Sequence, residues 1–182
     1  YAPEAHLRLP GVQHIKRGFV LAVLHPTTFA VVEWRSWDTY NSDYETTVSG
    51  VQSSCPGSGG TRCATAMATW ITETLASTYE DHIVLVTTHD EASASITPEV
   101  PAALRSVLGA KLQELKWKQM YALVARVGAG EALAEQVGAT GVTGVAAEWS
   151  HARCLSPPPP MPAPPPFSTC GFRVVSAGSG AG

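Results

Sequence analysis

Charge is what this chain is short of. Charged residues make up 15% of its 182 positions, and 12 Lys and Arg against 15 Asp and Glu leave a formal net charge of −3. Binding nucleic acid requires a cationic excess to displace counterions from phosphate, so nucleic acid is excluded as the main partner. Lys111, Lys116 and Lys118 form the one basic cluster, which reads as a solvated face. Long apolar runs are lacking too. None approaches the roughly 20 residues of a membrane-spanning helix, so no span is expected. No signal-peptide pattern opens the sequence, and Tyr1 is expected to be a mature or trimmed end. The sole asparagine, Asn41, is followed by Ser42 and Asp43 and makes no N-glycosylation acceptor.

Catalytic constellations are equally scarce. A serine hydrolase wants G-x-S-x-G at a strand-to-helix elbow. Gly57-Ser58-Gly59 lies instead in a polar loop, and Gly178-Ser179-Gly180 in the C-terminal tail. Gly128-Ala129-Gly130 lacks the third glycine of a dinucleotide fingerprint, since position 133 is Leu. His89, Asp90 and Glu91 follow an apolar strand, where α/β sheets often place ligands. Neighbours on extended chain point opposite ways, so the three converge on an acid/base or metal site only if the chain turns there. Asp90 reads more simply as a turn cap. No catalytic residue, metal or cofactor is expected, and the chain is not expected to be an enzyme.

Cysteine is sparse but informative. Cys55 and Cys63 bracket PGSGGTR, and Cys154 and Cys170 bracket a proline-rich segment. Neither spacing suits zinc. Two disulfides in an extracellular, oxidising environment are the economical reading, with four free thiols in a cytosolic protein as the alternative. Four cysteines allow three connectivities. Cys154–Cys170 meets an obstacle: Pro157 to Pro166 as straight polyproline II spans roughly 30 Å, and the flanking residues barely bring the chain back. Either the run bends near Met161 to Ala163, or these cysteines have other partners.

What is present is a hairpin. Phe19 to Leu24 is apolar almost throughout, His25-Pro26-Thr27-Thr28 turns, and Phe29 to Trp37 is a second β-rich run. The first run is apolar on both faces and must be buried on both. Tyr1 to Ile15, with Pro3, Pro10 and Gly11, reads as an extended arm, and Asn41 to Gly60 as a polar surface loop. Ala64, Met67, Ala68, Ile71 and Leu75 recur at helical spacing. His82 to Thr88 is a second apolar strand, and strand–helix–strand order predicts a crossover with a parallel pair. Thr97 is expected to cap a helix with Pro98 and Glu99 in its first turn and Gly109 at its stop. Met120 to Val127 is a third buried strand, Glu131 to Val137 a short helical stretch, and Gly144 to Trp149 an edge strand. From Ser156 the run SPPPPMPAPPPF excludes core, Phe172 to Val175 returns as a short strand, and SAGSGAG closes the sequence.

Four short motifs in this order resemble one family. Arg17-Gly18 precedes the first strand, and Trp37-Asp38-Thr39 closes the second. His89-Asp90-Glu91-Ala92 follows the third, and Leu108-Gly109-Ala110 ends the second helix. Together they resemble the ILEI/PANDER domain over about Lys16 to Trp149. The resemblance implies a compact α/β sandwich in secreted or lumenal proteins without a recognised catalytic centre. Some members are signalling proteins, and a related domain forms the stem of a glycosyltransferase, where it resembles a sugar-binding module. The Cys55–Cys63 loop, the proline-rich tail and Tyr121, where the family often has tryptophan, depart from that pattern.

A second resemblance lies in the tail. Ser156-Pro157-Pro158-Pro159-Pro160 is similar to the extensin block of hydroxyproline-rich wall glycoproteins, and Ala163-Pro164 to an arabinogalactan unit. It implies hydroxylation and O-glycosylation at Pro157, Pro158, Pro159, Pro160, Pro162, Pro164, Pro165 and Pro166. A plain stiff linker is the alternative.

The expected organisation is an arm (1–15), an α/β domain with a mixed sheet and helices packed on its faces (16–150), and a polyproline II tail (151–182). The expected function is a non-enzymatic extracellular structural or adhesion component of an algal-type matrix or surface fibril. Its partners would be copies of itself, other extracellular glycoproteins, and glycans. A carbohydrate-binding module and a secreted cytokine-like ligand are the alternatives. Trp37, Asp38, Tyr40 and Asp90 are the expected glycan contacts. Trp34 and Trp37, three apart, should face opposite sides of their strand, one in the core and one free, while Trp117 and Trp149 could serve as core fillers.

Overall fold

The computed structural model describes residues 17–40, 60–140, 144–151 and 170–177. Strand β1 (Gly18–Leu24) has every residue buried, and β2 (Val31–Trp37) returns beside it. The turn between them is held by His25, whose carbonyl accepts the Phe29 N–H at 3.0 Å and whose N–H reaches the Ala30 carbonyl at 2.9 Å. Phe29 takes a left-handed φ of 56°, so the second strand starts at Val31 and not at Phe29.

The chain then enters α1 (Thr61–Thr69), which runs on through a π-helical segment (Trp70–Leu75) into a last turn, α2 (Ala76–Thr78). The apolar stripe behaves as its spacing requires: Ala64, Met67, Ala68, Ile71 and Leu75 are all buried. The π-helical register was not legible in that stripe. Strand β3 (Ile83–His89) follows, then α3 (Glu99–Leu108), β4 (Tyr121–Arg126) and β5 (Ala134–Val137). Strands β6 (Gly144–His151) and β7 (Cys170–Ala177) pair separately.

The α/β class holds, but its sheet is antiparallel throughout, in the order β2-β1-β3-β4-β5. The expected parallel pair does not form. β1 runs antiparallel to both β2 and β3, so the crossover through α1 does join two strands of the same direction, but β1 lies between them. Burial explains this order. A strand apolar along its whole length needs neighbours on both edges as well as cover on both faces. Pairing β3 with β2 would have left β1 on the edge. The edge instead falls to β2, whose outer residues are partly exposed. Glu33 on β2 accepts the Tyr79 hydroxyl and the Arg35 Nε (2.6 Å), which ties this edge to the end of the helix.

The helices cover one face only. Phe19, Leu21, Val23, Val84, Val86, Tyr121 and Leu123 meet Met67, Ile71, Leu75, Leu104 and Leu108 there. On the opposite face Ala22, Leu24, Ile83, Leu85, Ala122 and Val124 are covered by Val145, Ala147 and Val174 of the β6–β7 pair. The described residues thus make three layers: helices, five-stranded sheet, two-stranded ribbon. β6 is therefore not an edge strand of the main sheet, and the expected return strand is β7, starting at Cys170. Residues 131–137 are not helical either. They include β5, whose Glu135 accepts the Lys111 N–H (2.7 Å), the Leu112 N–H (3.0 Å) and the Tyr121 hydroxyl (2.8 Å).

The cap of α3 differs from expectation at one end and agrees at the other. No side-chain bond caps its start, where Thr97 offers its carbonyl to the Val100 N–H at 3.1 Å. At its end Gly109 has φ 65°, its N–H bonds the Arg105 carbonyl, and the Ala110 N–H reaches back to Leu104. The first of these is the 5→1 bond of an αL cap, which requires a left-handed residue after the helix.

Candidate functional site

β1 begins where β2 and β3 end, and three of the four motifs meet at that end of the sheet. Gly18 pairs with His89 and Phe19 with Trp37. Gly18 has φ 97°, and a Cβ on it would lie 2.0 Å from the Trp37 carbonyl oxygen. Glycine is demanded here twice, by conformation and by space. Thr39 is fully buried; its hydroxyl donates to the Ala92 carbonyl at 2.7 Å and its own carbonyl receives the Ser95 N–H at 3.0 Å.

The chain does turn at His89-Asp90-Glu91, through a left-handed Asp90 with φ 53°. Glu91 is consequently driven inward, to 2% exposure. Its Oε1 accepts the Ser93 N–H and hydroxyl, both at 2.6 Å, and its Oε2 accepts the Lys118 N–H. A buried carboxylate persists only when hydrogen-bonded in this way. Glu91 thus staples the loop after β3 to the loop before β4. Two of the motif acids therefore hold backbone: Glu91 here, and Asp38 through the Tyr40 N–H.

The staple fixes a surface cluster. Lys118, at φ 52°, follows Trp117, which is 52% exposed. The Trp117 ring lies 6.0 Å from that of Tyr40, and the Arg17 guanidinium sits 4.0 Å over the other aromatic, Tyr40. Tyr40 is itself oriented by its N–H, which donates to Asp38 Oδ1 at 3.0 Å. Among the described residues no three His, Cys, Asp or Glu side chains gather to hold a metal. An open groove of about 450 Å³ lies beside β5, lined by Lys111, Leu112, Glu131, Leu133 and Val137, with Glu135 occupied by backbone amides.

Of the expected glycan contacts, Asp38, Tyr40 and Asp90 are half-buried at this end of the sheet. Trp37 is 1% exposed and packs on Trp70 at 5.6 Å, so its ring presents no face to a ligand. Trp34 lies on the other face, partly buried against the ribbon-side core, so the pair does divide between the two faces. The sequence placed Lys118 on a solvated face, as found, but gave no sign of Arg17 beside Tyr40, and Trp117, weighed there as a core filler, is exposed. The available signal was a lone aromatic between Lys116 and Lys118 in a stretch without period. Cys63 is buried and disulfide-bonded. Cys55, Cys154 and the eight tail prolines lie outside the described residues, so the expected pairings and modifications fall there as well.

Among curated proteins no match is found. Among families, the one described as Interleukin-like EMT inducer (ILEI) matches residues 17–129, from Arg17 at the head of β1 to the turn after β4. That span holds all four motifs, the buried hairpin and both covering helices, and by it the chain belongs to the interleukin-like EMT inducer family.

Proposed function

We propose that this chain is the folded domain of a secreted, cytokine-like factor that acts by binding and not by catalysis. The family match over residues 17–129 carries the reading. It draws support from the disulfide state of Cys63, since disulfides persist in oxidising compartments. Cys55 is the partner we assign to it, across the PGSGGTR loop. The matrix or fibril role expected from the proline-rich segment takes second place, because that role rests on residues 156–167 and the family match rests on the folded core. Glycan contact through Asp38, Tyr40 and Asp90 remains the alternative for the same end of the sheet.

The test is secretion and response. Expressed in its own cells with its native leader, the protein should appear in the medium with its cysteines oxidised, and the purified chain should bind cells saturably. Retention inside the cell with four free thiols would sink the reading. Secretion into an insoluble fibre, without saturable cell binding, would restore the matrix role.

A further inference from the structure

We infer that Arg17, Tyr40, Trp117 and Lys118 form a contact surface for an acidic segment of a partner protein, with Trp117 as its apolar anchor. The inference rests on the binding role proposed above and adds where the contact lies and what chemistry it takes. Three observations carry it. Among the described residues Trp117 is the most exposed large apolar side chain, at 52%, although Leu115 before it and Met120 after it are buried. Trp, Tyr and Arg are the residues enriched at the energetic centres of protein interfaces, where rigid aromatic area is covered at little entropic cost.

The second observation is preorganisation. The Glu91 staple holds the Lys118 amide, Gly18 is locked against the Trp37 carbonyl, and Asp38 orients the Tyr40 amide. Binding therefore orders little that is not already ordered. The third is charge. The Arg17 guanidinium is stacked on Tyr40, and no carboxylate pairs with Arg17 or Lys118 among the described residues. A stacked guanidinium keeps its in-plane N–H donors available for a carboxylate. Lys116, exposed next to Trp117, adds positive charge, although it approaches Glu114 at 3.9 Å. Arg17 and Lys118 are thus two cations without a carboxylate partner at an end of the sheet where Asp38 is turned to the Tyr40 amide and Glu91 is buried.

Trp37 is buried and Arg17 occupies one face of Tyr40, so Trp117 is the ring this cluster offers, and a neutral sugar stacked on it would leave Arg17 and Lys118 without a counter-charge. A sulfated glycan would meet those charges and is the outcome that the test below separates.

The test uses the full oxidised chain and two defined probes, a random glutamate–tyrosine copolymer and heparin, with Arg17→Gln/Lys118→Gln and Trp117→Ala as variants. Wild type should bind the copolymer, and each variant should bind it about tenfold more weakly. All three proteins should share one thermal midpoint, since the altered side chains are at the surface. Heparin binding that falls with Arg17→Gln/Lys118→Gln but is unmoved by Trp117→Ala, with no copolymer binding, would overturn the inference in favour of a sulfated glycan. Equal copolymer binding by all three proteins would overturn it too. Saturable cell binding separates the two readings. If wild type and both variants bind cells alike, the surface is wrong and the secreted-factor reading stands. If none binds cells yet the copolymer result holds, the surface stands and that reading fails.

Discussion

Glycines show at single positions how backbone shape and local space are distinct demands. Gly109 and Gly128 both have positive φ, 65° and 80°. A Cβ at Gly109 would sit 2.4 Å from the Glu131 Cα, whereas at Gly128 nothing lies within 4 Å. Gly128→Ala should therefore cost only the left-handed penalty, about 1–2 kcal/mol. Gly109→Ala should cost that and a backbone displacement, well above about 2 kcal/mol, or should not fold. Urea titration of the two variants checks this, and equal losses would mean that the close approach to Glu131 is relieved without cost. The sequence did mark Gly109 as a helix stop, because Leu108-Gly109-Ala110 stands where the helical stripe ends. Its contact with residue 131 was invisible, since no local pattern reports an approach between segments over twenty residues apart. Glu91 teaches the same lesson. In sequence it is one of three neighbours that converge only if the chain turns, and the left-handed turn at Asp90 sends it inside.

Between elements, β4 and β5 are joined by more than their ladder. Tyr121 is fully buried on β4 and its hydroxyl donates to Glu135 on β5 at 2.8 Å. Burial, then the charge of Glu135 and the bond to it, hold the phenol well above the ordinary tyrosine range. Because the folded pKa is raised, the native state keeps a proton that the unfolded chain gives up near pH ~10. The associated stability is intact below that pH and is lost as pH rises beyond it, at about 1.4 kcal/mol per pH unit for this group. Tyr79 is raised in the same direction by its bond to Glu33 but is only partly buried, so its slope should be shallower. Denaturant unfolding from about pH 9 to pH 11 should show wild type losing stability faster than Tyr121→Phe. Parallel declines would assign the alkaline loss to other groups. The strand character of residues 134–137 was illegible for a related reason. Ala134, Glu135 and Gln136 favour helix in isolation, and the pairing with β4 and the three bonds to Glu135 override that preference. Strands β1, β3 and β4, by contrast, were legible in place and in burial, because an uninterrupted apolar run between turn residues has few other uses.

For the molecule as a whole, the decisive fact is that the family match ends at residue 129 while the second layer comes later. Ala22, Leu24, Ile83, Leu85, Ala122 and Val124 form one face of the sheet, and β6 and β7 cover it. Thr87 adds a bond from its hydroxyl to the Val175 carbonyl at 3.3 Å. The sequence indicated strands near both places but not their partnership. Each is short, and the residues between them, 152–169, read as the start of a tail. Pairing of His151 with Cys170 makes those residues the connection within a ribbon. Two chains test which part the fold requires. A chain ending at residue 140 leaves that face to water, so it should bind a hydrophobic dye, self-associate, and lose a cooperative melt. A chain with 152–169 replaced by a short Gly-containing turn keeps the β6–β7 register and should melt as wild type does. If the shorter chain remains a monomer with an unchanged melt, the ribbon is an accessory and the sheet is stable with one face open. If the turn replacement unfolds, the proline-rich connection is itself part of the fold, and its function cannot be separated from stability.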